Sequence, residues 1–457
     1  MTFVGDTSAA VKTATSALHR ASSEMKIIGE NITKSNLDGY TQKELVYRNN
    51  VINGHSAGLI LEDVVSKVDP AQREIYWESL ASDGYYGNMF NALQELDTDL
   101  GHPMKNNNLN VRLTEFKKAL QQMTLKPEDA TTRQNFVKSA ARVADFIQDT
   151  AKKIKDFRNR FEHKIAEDVG RVNDLLKLLE GNNSAISFAN GTGNPTADLV
   201  DIRDKNISAL TELIGARKYT NSDDTVSIRI PGKTNLLDTT RAEIVTFNET
   251  TNLSPGMTSN PIMVNGVDIT SMVGGSIQAN RKVVEDLCVG YQEALDRFTE
   301  VFRDQVNAVS NRGVSSAPPN SMTGSRTGLA GATAFTGTGN VRVAVIDNTA
   351  GSEGTIIETL TIDLSLIVNH DGLRTAINGM TNASAAFTAN GEFQLTATNA
   401  NHGIVMVSES TAPEAQETMT GSNLGLSHYF GFQNLIETPG AFLGAADGIA
   451  NTVTINS

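Results

Sequence analysis

Residues 1–40 read MTFVGDTSAAVKTATSALHRASSEMKIIGENITKSNLDGY, and apolar or small side chains recur in them at Val4, Val11, Ala14, Leu18, Ala21, Met25, Ile28 and Ile32. The steps alternate between three and four, with Thr7 the one break. A seven-residue repeat of this kind lays a single apolar seam along a helix and calls for a partner helix. Asn36, Asp38 and Gly39 supply the stop. A helix of roughly thirty residues is about 45 Å long at 1.5 Å per residue. It is either a core element docked on its own chain or an arm for assembly, and the seam alone does not choose between them.

Downstream, Leu37 to Val68 reads as extended chain with turns at Asp38-Gly39, Asn53-Gly54 and Ala57-Gly58. Ala71 to Leu100 reads as helix, with a break near Gly84 and Gly87, and a shorter helix covers Asn110 to Thr124. Lys126-Pro127-Glu128-Asp129 carries the proline and acids of a helix start. A second seam follows at Phe136, Ala140, Val143, Ile147, Ile154, Phe157, Phe161, Ile165, Val169, Val172, Leu176 and Leu179. It stops at Gly181-Asn182-Asn183, which predicts a helix of about fifty residues, far above the usual globular length.

A further helix spans Pro195 to Gly215, strands fill Val226 to Asp268, and helix returns from Ser276 to Ser310. Ser315 to Thr338 reads as a linker. Beyond it lie strands at Val341–Ile346, Thr355–Val368, Phe393–Thr398 and Ile404–Val407, with a short helix over Gly372–Met380. The expected fold is multidomain α + β: an elongated coiled-coil or bundle rod with a β-hairpin insertion near 225–270, plus a separate β-rich domain. The expected divisions are 1–40, 41–317 and 318–457.

Composition excludes several classes. A net charge of −13 over 457 residues argues against nucleic acid or an anionic membrane as the main partner. No run of eighteen apolar residues exists to insert in a membrane, and the N-terminus lacks the short apolar core of a cleavable signal. Cys288 is the one cysteine, so no internal disulfide forms; a buried small hydrophobe is its expected role.

Signals of chemistry are weak. Gly232-Lys233-Thr234 resembles the end of a phosphate-binding loop, but Ser227 stands where a glycine is needed and no helix follows, so a hairpin turn is expected. Asp198, Asp201 and Asp204 lie on one helix face without a histidine to complete a metal site. Asp201 is expected to pair with Lys205, four residues on. No nucleophile, metal or cofactor motif appears in recognisable context. Neither an active site nor a metal or cofactor is expected.

The block Gly29-Glu-Asn-Ile-Thr-Lys-Ser-Asn-Leu-Asp-Gly-Tyr-Thr-Gln42 resembles the Asn-Asn-Ile-Ala-Asn-x-x-Thr-x-Gly-Tyr motif of flagellar axial proteins, matching at Asn31, Ile32, Gly39 and Tyr40. Glu30, Thr33, Lys34 and Leu37 depart from it. The block Ala197-Asp198-Leu199-Val-Asp201-Ile-Arg203-Asp204 resembles the Ala-x-Asp-Leu-x-Asp-x-Arg-Asp block of the flagellar hook-associated protein 1 family, which hook and rod proteins lack. Asp304-Gln-Val-Asn307 and the region ending Phe430-Gly-Phe432 are also similar to that family.

The resemblance implies a structural protein of the bacterial flagellum, exported unfolded through the type III channel and assembled extracellularly at the distal tip. Its partners would be further copies of itself in a ring, hook protein, the next hook-associated junction protein and an export chaperone, with no nucleic acid and no membrane insertion. Terminal helices of the family pair N with C. This chain stops at Thr454-Ile-Asn-Ser457 after a segment with no seam. The expectation is that the family's C-terminal helix either lies outside this sequence or is lacking.

Other readings are another axial protein of hook or rod type, a surface adhesin acting through the Thr/Ala/Gly-rich C-terminal third, and a peptidoglycan hydrolase resting on unassigned carboxylates. With the Gly39-Tyr40 motif behind it, the first seam is expected to be an assembly arm, exposed in the isolated chain.

Overall fold

Long seams become long helices. In the computed structural model the helices are α1 (Phe3–Thr33), α2 (Pro70–Leu100), α3 (Leu109–Leu125), α4 (Ala130–Thr192), α5 (Ala197–Ile214), α6 (Gly275–Lys282), α7 (Cys288–Ser310), α8 (His370–Asn378) and α9 (Leu426–Phe430). A π-helical turn, Val283–Leu287, joins α6 to α7. The structure describes residues 3–52, 55–100, 108–230, 235–271, 275–315, 317–409, 415–416, 422–444 and 446–456. The turn expected at Asn53-Gly54 and the segment Pro231 to Thr234, with its Gly-Lys-Thr, lie outside the described residues. The fold is mixed α + β. It divides into two compact units: residues 1–96, 157–253 and 257–288 in the first, and residues 97–156, 254–256 and 289–457 in the second.

In the first unit, β1 (Lys43–Ile52) and β2 (His55–Ser66) form an antiparallel hairpin. Its register shifts at Val46/Tyr47 and Asn49/Val51, bulges that raise the local twist. Proline opens α2 at the first helical position, where its missing N–H costs nothing. Gly84 does not break this helix, contrary to the sequence expectation. A Cβ there would overlap the Glu212 carbonyl, so the glycine lets α5 approach closely.

Helix α4 runs past Gly181-Asn182-Asn183 to Thr192, further than the sequence signal placed its end. Glycine in a helix interior costs about 1 kcal/mol, and burial of Ile186 and Ala189 beyond it offsets that. Asn183 is itself buried. Its amide receives the Val226 N–H at 3.0 Å and donates to the carbonyls of Val226 and Thr239. Asn173 bridges Val245 in the same way, through N–H and carbonyl at 2.9 Å.

These contacts matter because the strands concerned are short. β3 (Arg217–Thr220), β4 (Val226–Arg229), β5 (Asn235–Asp238) and β6 (Arg241–Ala242) form one antiparallel sheet. β7 (Val245–Thr246), β8 (Met263–Val264) and β9 (Val267–Asp268) form another. Asparagine amides on α4 supply partners for backbone groups at the ends of these short strands.

In the second unit, β10 (Ser321–Thr323), β14 (Phe393–Ala397) and β13 (Ala383–Phe387) make one sheet. β12 (Thr355–Asp363), β11 (Asn340–Asp347) and β15 (His402–Ser408) make a second. Val341, Val343, Leu373, Ile377, Phe393 and Phe430 belong to one buried core. The described residues of the segment read as a linker, 315–338, are part of this structure. The segment carries β10, and its Gly324 N–H donates to Phe393 at 2.8 Å. A Cβ at Gly324 would overlap the Phe430 carbonyl, so the small residues there allow close backbone approach rather than freedom.

Two-residue pairs β16 (Ala415–Gln416) with β17 (Asn423–Leu424), and β18 (Ile436–Glu437) with β19 (Thr454–Ile455), complete the strands described. The described residues between Ser427 and Ala450 are held by side chains of α7 and of Asn311 just past its end. Asn311 accepts from Ser427 Oγ at 2.9 Å and Gln433 N at 3.0 Å. Asn307 accepts from Leu435 N and Ile436 N, each at 2.9 Å. Arg303 donates to Thr438 Oγ1 at 2.8 Å and the Ala441 carbonyl at 2.9 Å. Asp296 receives Gly448 N at 2.8 Å and Ala450 N at 3.0 Å.

Candidate functional site

The seam of α1 faces solvent. Leu18 is 74% exposed and Met25 69%, with Val11, Ile28 and Ile32 above half. Ala14 and Ala21 are exposed as well. Val4 falls on a helical residue whose side chain is outside the described set. The helix is held from its other side, and mainly by polar groups. Ser16 Oγ donates to the Leu59 carbonyl at 3.0 Å, and the Arg20 guanidinium lies 5.2 Å from the centre of the Tyr47 ring. Gly58, at φ 101°, brings the hairpin backbone against Ser16.

At the base of α1 the two sequence blocks meet. Asn31 is the hinge pin: its carbonyl oxygen accepts from Lys43 N at 2.9 Å and from Tyr40 Oη at 2.8 Å, while its amide donates to the Lys43 carbonyl at 2.9 Å. One side chain therefore fixes the turn from helix to strand. Gly39 holds φ 84°, where a side chain would be strained and would press on Lys205.

Lys43, in β1, is nearly buried. Its ammonium pairs with Asp198 and, at 2.7 Å, with Asp201, and lies 4.7 Å from the Tyr40 ring centre. Asp201 also receives the Thr41 N–H at 3.2 Å and the Thr41 hydroxyl. Burial works against the Lys43 charge, yet the bonds to Asp198 and Asp201 outweigh it and hold the amine above its ordinary value. The Lys43 bond in turn holds Asp198 below the usual carboxylate range.

The remaining residues of the second block look the other way. Asp204 pairs with Arg73 of α2 and with Arg203 at 3.1 Å, and Arg203 also donates to the Asp224 carbonyl at 2.8 Å. Leu199 contributes its carbonyl, which accepts from Asn182 at 3.3 Å. The structure thus brings Asn31, Gly39, Tyr40, Asp198, Asp201, Arg203 and Asp204 into one region. Ile32, although inside the first block, points outward with the seam.

The local pairing of Asp201 with Lys205 does not form; Lys205 reaches Asp38 at 2.9 Å instead. Asp201 is buried with its oxygens taken by Lys43 and Thr41, while Lys205, one turn on, is exposed. Lys43, Thr41 and Arg73 were not singled out in the sequence. Their one trace was indirect, in that three acids on one helix demanded cations from elsewhere.

Chemically the arrangement is a clamp of ion pairs and amide bonds. Burial pushes the Cys288 thiol up to about 12, which leaves it protonated and inert. Among the described residues no group of three His, Cys, Asp or Glu side chains could hold a metal ion. Among them no helix is long and apolar enough to cross a membrane.

Comparison with known proteins places these features. A family model described as the flagellar hook-associated protein FlgK helical domain matches residues 93–324, which include the Asp198–Asp204 block and α7. Flagellar hook-associated protein 1 of Salmonella typhimurium (strain LT2) is 23% identical over 219 residues, covering 46% of this chain. The Salmonella typhi protein of the same name matches with the same figures. The matched stretch spans 38% of the length of these relatives. The structure of the flagellar hook junction protein FlgK from Burkholderia pseudomallei aligns with TM-score 0.46 and 14% identity, over 79% of this chain and 66% of that one.

Proposed function

This chain belongs to the flagellar hook-associated protein FlgK family, and we propose that it is a non-enzymatic structural subunit of the bacterial flagellum that joins hook to filament. The observation that carries the reading is the exposed apolar seam of α1, from Val11 to Ile32, anchored at its base by the Asn31–Lys43–Asp201 clamp. An exposed heptad seam of that length is a half-interface. The clamp fixes its direction of departure, which an assembly arm requires and a loose tail does not.

In this reading residues 1–40 are the arm, 41–317 a helical domain with a β insertion, and 318–457 a β-rich outer domain. Helix α4, 63 residues long, serves as a stiff coiled-coil spine. Copies form a ring after type III export, between hook protein and the next junction protein, with a chaperone engaged before export. Val4, Val11, Ala14, Leu18, Ala21, Met25, Ile28 and Ile32 meet a helix supplied by the polymer, and the alanines permit close approach.

The test is a chromosomal double variant, Leu18→Asp with Met25→Asp, in the bacterium that carries the protein. The expected outcome is a stable, exported protein and hooks without filaments. Normal motility with normal filaments would overturn the reading.

A further inference from the structure

Beside the clamp, the start of α2 and strand β3 line a pocket with Arg73, Arg203 and Lys218 on its walls. Trp77, the one tryptophan of the chain, forms part of the same lining. Three cations in one pocket call for anions, and the protein supplies too few. Asp204 is shared between Arg73 and Arg203. Arg203, buried, gives another nitrogen to the Asp224 carbonyl and keeps one terminal nitrogen with no protein acceptor among the described residues. The Lys218 ammonium lies 4.6 Å from the centre of a Trp77 ring and has no carboxylate partner among them. Glu74, the acid on the pocket wall, is exposed.

The cost of this arrangement falls on the cations. Burial, with Arg203 and Arg73 nearby, pushes Lys218 down to about 8 against a weaker opposing pull from Glu74. Burial and Arg73 push Arg203 down to about 10. Trp77 is fixed by its Nε1–H bond to Ser208 at 2.9 Å, so the wall does not simply yield.

We propose that this pocket binds a small oxyanion, a phosphate or carboxylate group held by Lys218 and by the guanidinium nitrogens that Asp204 and Asp224 leave unused. Guanidinium forks and an ammonium are the donors that suit such a group, and charge-assisted bonds of this kind are the strong ones. The site is independent of the exposed seam and does not rest on the assembly reading.

Trp77 is a built-in reporter. The full chain is titrated at pH 7 with inorganic phosphate, and separately with succinate, at ionic strength held constant with sodium chloride. The expected result is a saturable change in tryptophan fluorescence with at least one of the two, and which one responds assigns phosphate or carboxylate as the preferred group. Lys218→Gln weakens binding roughly tenfold or more, as loss of one charged hydrogen bond implies. Binding to the unaltered chain weakens between pH 7 and pH 9 as the Lys218 proton is lost.

Thermal unfolding guards against a folding defect. Phosphate or succinate raises the midpoint of the unaltered chain and not that of Lys218→Gln. Without anion the variant melts within a few degrees of the unaltered chain, since it removes a cation that has a ring contact but no carboxylate partner among the described residues. A response to chloride equal to that of both oxyanions, or a Lys218→Gln variant that binds as tightly, would overturn the proposal.

Discussion

Helix α1 and the second half of α4 carry the same heptad pattern and meet opposite fates. In α4, Phe157, Ile165, Val172 and Leu179 are each 0% exposed. In α1, Leu18 and Met25 stand in solvent. The contrast teaches that a seam states what a helix can bury, and the rest of the chain decides whether it does. Side chains buried as in α4 contribute about 1.5–3 kcal/mol each. What holds α1 is a set of hydrogen bonds, worth about 0.5–1.5 kcal/mol apiece, and one buried ion-pair cluster at its base.

The sharpest way to break this comparison is to cut into each support. Phe157→Ala removes a buried ring stacked 4.6 Å from Phe161, and the expected loss is about 3–5 kcal/mol. Urea unfolding measures it; a loss below about 1 kcal/mol would mean that the α4 seam is not a core. Next in size is Asp201→Ala. It leaves the Lys43 ammonium buried with only the exposed Asp198, at a cost of about 3 kcal/mol. The same variant should speed proteolysis within α1 while leaving cleavage of α4 unchanged. Equal rates in both helices would show that the clamp does not anchor the arm.

Two aspartates extend the comparison to pH, with opposite signs. Asp168 on α4 is held above the ordinary carboxylate value by burial, against the opposing bonds from Ser276 and Arg171. Its proton is kept longer in the folded chain, so its contribution is greatest below about pH 3.9 and is lost as pH rises through its folded value. Asp168→Asn should therefore raise the unfolding midpoint at pH 7 and change nothing at pH 3, a smaller effect than either substitution above. Asp198 behaves inversely. Held down by Lys43, it supports the fold above the unfolded value and loses that support as pH falls through its folded value. Asp198 is largely exposed, so solvent screens the effect. If Asp198→Asn raised the midpoint at pH 7, the clamp would have the wrong sign.

Periodic features were legible in the sequence because they are local. The α4 seam was read from Phe136 to Leu179; its positions from Ala140 onward are buried, and Phe136 at its start is half-buried. Both motif blocks were found by their resemblance to known families. Their meeting was not, because the Lys43 ammonium reaches acids 155 and 158 residues away. A rule about neighbours assigned Asp201 to Lys205, whereas burial assigned it to Lys43. Gly181-Asn182-Asn183 looked like a helix end, but Asn183 is taken up by the backbone of Val226, and Ile186 and Ala189 beyond it are buried. Ser315 to Thr338 looked like a linker because composition does not distinguish freedom from tight contact, as at Gly324.

The smallest effect separates the two seams most cleanly. Leu18→Ser deletes a large apolar side chain that is already in water, so the isolated chain should lose less than about 0.5 kcal/mol. Leu176→Ser, at a heptad position of α4 that is fully buried, should lose several times more. Measured side by side in the same urea titration, the pair holds the chemical change constant and varies only the surroundings. A comparable loss in both would mean that α1 already has its partner within the chain. In that case its seam could not be the free half of an interface, and the arm reading would lose its physical basis.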